Sequence, residues 1–93
     1  KYHLSHTVPE KEKMLRSDRC RITDFIIGEP DYEKVYFKDT VLVTGHTPTG
    51  LIDPDYKGRI WKDNNHIATD CGAVFGNPLG CVCLDTMEEI YVN

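Results

Sequence analysis

The spacing of apolar residues changes several times along the chain, and each change predicts an element. Val41-Leu42-Val43-Thr44 is a run of β-favouring residues that Gly45 ends, so it predicts a strand. His46 follows at its tip. Thr47-Pro48-Thr49-Gly50 then turns the chain away, because proline cannot continue a central ladder. Tyr2-His3-Leu4-Ser5-His6 predicts a shorter strand. His3 and His6 are three apart and fall on opposite faces of it, so they do not easily share one metal. His6, at the carboxyl end, is the better placed of the two for chemistry.

Residues 7–19 are polar and charged. Pro9 can open a helix there, Glu12 and Arg16 form a favourable i,i+4 pair, and Met14 and Leu15 are the apolar anchors. Ile22, Phe25 and Ile26 recur at helical spacing, and Gly28 stands where a helix would stop. After the turn Glu29-Pro30-Asp31, the residues Tyr32, Val35 and Tyr36 fall at i, i+3, i+4 and predict a second short helix.

Strands dominate the carboxyl half. Asp53-Pro54-Asp55 and Lys57-Gly58 mark a loop. Arg59-Ile60-Trp61-Lys62 and His66-Ile67-Ala68-Thr69-Asp70 predict a hairpin across Asp63-Asn64-Asn65. A glycine-punctuated loop leads to Leu79-Gly80-Cys81-Val82-Cys83-Leu84, an apolar run of the buried kind, and Ile90-Tyr91-Val92 closes a last hairpin. These elements predict an α+β, β-rich domain whose carboxyl half is mainly antiparallel strands and whose first part mixes strands with short helices.

With 93 residues the chain makes one small domain or part of a larger one. Its 40% hydrophobic content argues for a folded chain, and a net charge of −4 without a basic stripe argues against a nucleic-acid scaffold. No apolar run reaches membrane-spanning length, so no membrane partner is expected. Cys20, Cys71, Cys81 and Cys83 form neither a disulfide framework nor a Cys-x-x-Cys zinc pair. They predict small buried thiols in a reducing, cytoplasmic setting, with Cys81 and Cys83 on one strand face. The chain starts at Lys1 with strand-like residues at once, which predicts a piece lacking its amino-terminal part.

A histidine delivered at a strand end is a common way to present a metal ligand or an acid/base group. Three stretches give His46 and His6 a context. Leu4-Ser5-His6-Thr7 is a strand ending in histidine. Val43-Thr44-Gly45-His46-Thr47-Pro48-Thr49 contains Gly-His-Thr-Pro. His66-Ile67-Ala68-Thr69-Asp70-Cys71-Gly72-Ala73-Val74-Phe75-Gly76 contains Asp-x-Gly-Ala. In this order they resemble the carboxyl-terminal part of a calcineurin-like metallophosphoesterase. The resemblance is to the bacterial branch of the phosphoprotein (serine/threonine) phosphatases, which also holds the symmetrical diadenosine tetraphosphatases.

The resemblance implies that residues 1–93 are the β-rich carboxyl-terminal portion of a metallophosphoesterase β-sandwich flanked by helices. It implies a hydrolase with two divalent metal ions, manganese, iron or zinc, at strand-end loops. Carried over by position, His6 and His46 are metal ligands, and Asp70 orients a ligand histidine or, alternatively, caps a turn. Thr47 replaces the second histidine of a His-x-His ending, which favours the phosphatase branch. The family's Asp-x-His, Gly-Asp-x-x-Asp and Gly-Asn-His motifs belong upstream of His6 and are not in this sequence. No residue here therefore takes a catalytic role, and the chain alone is expected to be inactive and prone to dimerise through uncovered edges. Glu29 stands near where relatives carry a phosphate-gripping arginine; Arg16, Arg19, Arg21 and Arg59 are the available substitutes. The implied substrate is a phosphorylated protein or a nucleotide. The competing reading is a non-catalytic β-rich interaction domain in which both histidines are ordinary residues.

Overall fold

A computed structural model describes all 93 residues. Four short strands form the main sheet: β1 (Tyr2–Leu4), β2 (Val41–Thr44), β3 (Trp61–Asp63) and β4 (His66–Ala68), side by side in the order β1-β2-β4-β3. β1, β2 and β4 run parallel, with Tyr2 opposite Val41 and Leu42 opposite His66, while β3 is antiparallel to β4. The carboxyl half is thus less antiparallel than its hairpins imply, because β4 pairs in both senses. Asn64 and Asn65, at φ 51° and 59°, make the turn between β3 and β4, a conformation that asparagine tolerates better than most residues. The domain is α+β with mixed sheets and few helices.

Alternation along β2 decides what each face of the sheet packs against. Leu42, fully buried, joins Val8 and Tyr36, with Met14, Phe25 and Phe37 partly buried around them. Burying a leucine this completely contributes about 2 kcal/mol. Val41 and Val43 point the other way, onto a cluster of Ile60, Ile67 and Cys71 that Val82 and Leu84 cover.

Val82 and Leu84 come from a separate hairpin, β5 (Leu79–Cys83) paired antiparallel with β6 (Glu88–Val92), Leu84 lying just past the end of β5. Gly80 lets this hairpin close on the sheet: a Cβ there would lie 2.6 Å from Cys71 Sγ and 3.3 Å from Ile60 Cγ1. The Tyr91 hydroxyl accepts from Ile60 N at 3.0 Å and donates to Glu89 Oε1 at 2.5 Å, and Glu89 pairs with Lys62 at 2.7 Å. The outer face is bare. Leu79, Cys81, Cys83, Ile90 and Val92 are exposed, so 79–84 is not a buried strand, and of the four free thiols only Cys71 is buried. The reading of small buried thiols fails at Cys81 and Cys83 because the hairpin meets the sheet with one face only.

The helices are single turns. α1 (Lys11–Met14) lies in the polar segment, where Lys13 pairs with Asp24 at 2.9 Å rather than Glu12 with Arg16. α2 (Asp24–Ile27) buries Phe25 in part, but Ile22 and Ile26 stay exposed. Gly28 ends α2 in an extended conformation, not a left-handed one. A side chain is excluded there: a Cβ would sit 2.1 Å from Asp24 O and 2.9 Å from Val8 O. A third turn, α3 (Thr49–Ile52), follows Pro48.

The helix expected over 32–36 does not form; residues 31–40 are turns and bends. Their backbone groups are claimed from outside. Asn64 Nδ2 donates to Tyr32 O at 2.8 Å, and Asn65 Nδ2 donates to Phe37 O at 2.9 Å and Thr40 O at 3.0 Å. The Tyr36 hydroxyl accepts from Asp31 N at 2.8 Å and donates to Pro9 O at 2.7 Å. The helical spacing of Tyr32 and Tyr36 reflects two rings anchored from a loop. No helix is long and apolar enough to cross a membrane.

Candidate functional site

Parallel strands release their loops from the same edge. His6 follows β1 and His46 follows β2, and Ser5 N donating to Val43 O (3.0 Å) and Gly45 N donating to His6 O (2.9 Å) extend the pairing to that edge. The result brings residues 6 and 46 together: His6 Nε2 and His46 Nδ1 face each other at 3.0 Å, with ring centroids 4.8 Å apart. One ring nitrogen donates and the other accepts, in roles set by the tautomers.

His46 pays for its position. Thr47 N donates to Gly45 O at 2.7 Å, closing a three-residue turn centred on His46, whose φ is 64°. A non-glycine residue in this region is strained by roughly 1 kcal/mol or more, and such strain clusters at functional sites.

The facing nitrogens suit a shared cation in chemistry and nearly in spacing. Two imidazole nitrogens on one tetrahedral ion at ~2.0–2.1 Å lie about 3.3 Å from each other, close to the observed separation. No group of three or more His, Cys, Asp or Glu side chains converges anywhere in the chain to hold a metal. His6 and His46 thus supply two donors, and a complete coordination sphere needs ligands beyond them.

The other candidates lie apart from this pair. His3 packs against Phe37 at 5.4 Å between ring centroids. Asp70 leaves the same edge of the sheet after β4, but its Oδ1 accepts from Gly72 N at 2.9 Å and its main-chain oxygen accepts from Thr49 N at 2.8 Å. These bonds cap the turn and tie α3 to the loop after β4; none reaches a histidine. Arg59 lies over the Tyr56 ring at 5.4 Å, and Arg16 and Arg19 line a polar cleft with Glu10 and Glu12.

Behind the pair stands a histidine that sequence reasoning passed over. His66 is 2% exposed. It stacks on Tyr32 at 5.3 Å and 13°, meets Trp61 edge-on, and places Nε2 2.8 Å from Thr44 Oγ1. Its Nδ1 has no partner, and burial pushes its pKa down to about 4. Burial above all raises the pKa of the Tyr32 hydroxyl, with Thr47 nearby acting in the opposite direction. The available signal was register: a buried threonine two residues before His46 needs a polar neighbour on the next strand, and His66 begins that strand.

No protein-family model, curated protein or solved structure matches this chain.

Proposed function

We propose that this chain is the carboxyl-terminal part of a calcineurin-like phosphoprotein phosphatase, a hydrolase of phosphomonoesters. The observation that carries the reading is the 3.0 Å approach of His6 Nε2 to His46 Nδ1 at the common edge of parallel strands. In this reading both histidines hold one of two divalent ions, manganese, iron or zinc. Bound ions of this kind supply a hydroxide near neutral pH and offset charge on the phosphate oxygens. The chain's own contribution is positional: β1 and β2 fix the two rings, and the strained turn at His46 aims its Nδ1. Asp70 keeps the loop after β4 against α3, the turn that follows His46 in the chain. With two donors and no acid or nucleophile of its own, the chain does not turn over alone. A cytoplasmic setting follows the reading.

A nucleotide hydrolase of the diadenosine tetraphosphatase kind would use the same histidines. A non-catalytic interaction domain is favoured by one specific observation: the His6–His46 hydrogen bond is complete without an ion.

The test is manganese titration of the chain followed by NMR. Selective broadening of the His6 and His46 ring signals, lost in His46→Ala, supports the metal reading. Broadening that ignores His46→Ala, or none, favours the interaction domain. In the longer protein implied by the reading, p-nitrophenyl phosphate hydrolysis should fall by orders of magnitude in His46→Ala.

A further inference from the structure

The closing hairpin turns one face to the sheet and the other away from it. Its pairing sets Leu79 opposite Val92, Cys81 opposite Ile90 and Cys83 opposite Glu88, so these pairs share the outer face. Val82, one residue out of phase, packs inward on the cluster of Ile60, Ile67 and Cys71. Two thiols therefore stand two residues apart on one face of β5, both free and both exposed.

That spacing rules out several uses of the pair. Residues i and i+2 of a strand lie about 6.6 Å apart with their Cβ atoms aimed the same way. A disulfide brings its two Cβ atoms to about 3.8 Å, so Cys81 and Cys83 could join only if β5 gave up its pairing. A structural zinc ion takes four ligands, and no group of three or more His, Cys, Asp or Glu side chains converges here. Met87, the thioether of the hairpin turn, lines a cleft with Val41 and Lys62 against the sheet. What remains is two soft donors for an ion that needs only two. A linear dithiolate with metal–sulfur bonds of about 2.3 Å holds its sulfurs about 4.6 Å apart. Thiols leaning toward each other from one strand face reach that separation by rotation about Cα–Cβ.

The surroundings favour a cation over other thiol chemistry. Residues 79–93 contain no lysine or arginine. Glu89 is taken by Lys62, which leaves Asp85 in the turn and Glu88 across from Cys83 without a counter-charge. This field draws in a cation and repels an anionic disulfide reagent. The turn also aims donors at Cys83: the Thr86 hydroxyl above all, then the Thr86 and Asp85 N–H groups, favours its thiolate. Thr86 Oγ1 accepts from Glu88 N at 3.3 Å, so its own hydrogen is free to point at the sulfur. Leu79, Ile90 and Val92 give Cys81 exposed apolar neighbours, which suit a soft, weakly hydrated ion better than a hard one.

We propose that Cys81 and Cys83 form a two-coordinate site for a soft monovalent metal ion, cuprous copper, on the outer face of the β5–β6 hairpin. On binding, each thiol releases its proton to solvent and each sulfur donates an electron pair to the ion, with no change of oxidation state. The site is separate from the His6–His46 edge and does not depend on the phosphatase reading.

The test is anaerobic titration of the reduced 93-residue chain with cuprous ion held by bicinchoninate, a chromogenic chelator. The chain is expected to take one ion from the chelator. The Cys81 and Cys83 β-carbon signals should shift in NMR spectra while the His6 and His46 ring signals stay in place, and X-ray absorption should show sulfur neighbours only. Cys81→Ser and Cys83→Ser should each weaken binding about a hundredfold or more, because one thiolate alone is a poor site. Cys20→Ser, outside the hairpin, should leave uptake unchanged. The wild-type NMR shifts decide the matter where a variant fails to fold. Uptake that survives Cys83→Ser, or that moves the histidine signals in place of the cysteines, would overturn the proposal. One ion for every two chains would overturn it in favour of a bridge between copies, and failure to compete with the chelator would overturn it outright.

Discussion

Thr44 Oγ1 and His66 Nε2 lie 2.8 Å apart across neighbouring parallel strands, and both residues are buried. The contact fixes the end of β2 from which His46 projects. It also makes the fold acid-sensitive. In the unfolded chain His66 takes up a proton near its ordinary value of 6.5, but in the fold it resists until about pH 4. Between those values the unfolded state binds more protons, so stability falls as pH falls through that window, by about 3 kcal/mol in total. Urea denaturation from pH 7 to pH 4 should show this slope, and His66→Phe should flatten it while costing stability at neutral pH.

In the proposed metal reading, His46 sets its ligand role against backbone strain. Its φ of 64° favours glycine. His46→Gly relieves that φ but gives up the hydrogen bond to His6 and loosens the unfolded chain, so the melting temperature should move little, while the manganese response that the metal reading expects at His6 should be lost. A thermal melt of the variant beside the wild type measures the first effect, and NMR broadening measures the second.

Gly28 stands where two backbone carbonyls leave no space for a methyl group. Those carbonyls belong to Asp24, inside α2, and Val8, in the core, so neither moves cheaply. Gly28→Ala should destabilise the fold by roughly 3 kcal/mol or more, and Thr7 should lose protection, because its hydroxyl donates to Gly28 O. Hydrogen exchange at residues 7–9 reports the second part.

Tyr36 serves two backbone groups with one oxygen, accepting from Asp31 N and donating to Pro9 O. Burial pushes its pKa up to about 12, so the hydroxyl stays protonated through the neutral range. Tyr36→Phe keeps the ring in the core and orphans both partners. The expected loss is about 1–3 kcal/mol by denaturant titration. Tyr36→Leu should cost more, because it also removes ring volume beside Leu42.

Much of this was legible in the sequence where one local signal sufficed. Val41 to Thr44 alternate onto two cores, so β2 was readable, and Asn64-Asn65 announced their turn through residues that accept positive φ. The strand-end positions of His6 and His46 were readable too. Their approach across 40 positions depends on β1 and β2 being parallel neighbours, which no local pattern encodes. The stretch 31–40 misled because its two tyrosines at helical spacing are held from elsewhere, Tyr32 through its carbonyl by Asn64 and Tyr36 through its hydroxyl by Pro9 O. The apolar 79–84 run misled because a run that is apolar on both faces does not say which face is covered. His66 went unnoticed because a histidine in a strand looks ordinary until its neighbours Tyr32, Tyr36, Trp61 and Thr44 are known.

The closing hairpin is joined to the sheet near its chain end by Tyr91 and Glu89, and near its turn by Tyr2 Oη donating to Leu84 O at 2.9 Å. Tension applied at Asn93 would load β6 first and open its pairing with β5 one rung at a time. Tyr91 and Glu89 would pass part of that load to Ile60 and Lys62 at β3. The pull thus enters the sheet at its β3 edge, the one farthest from β1 and His6.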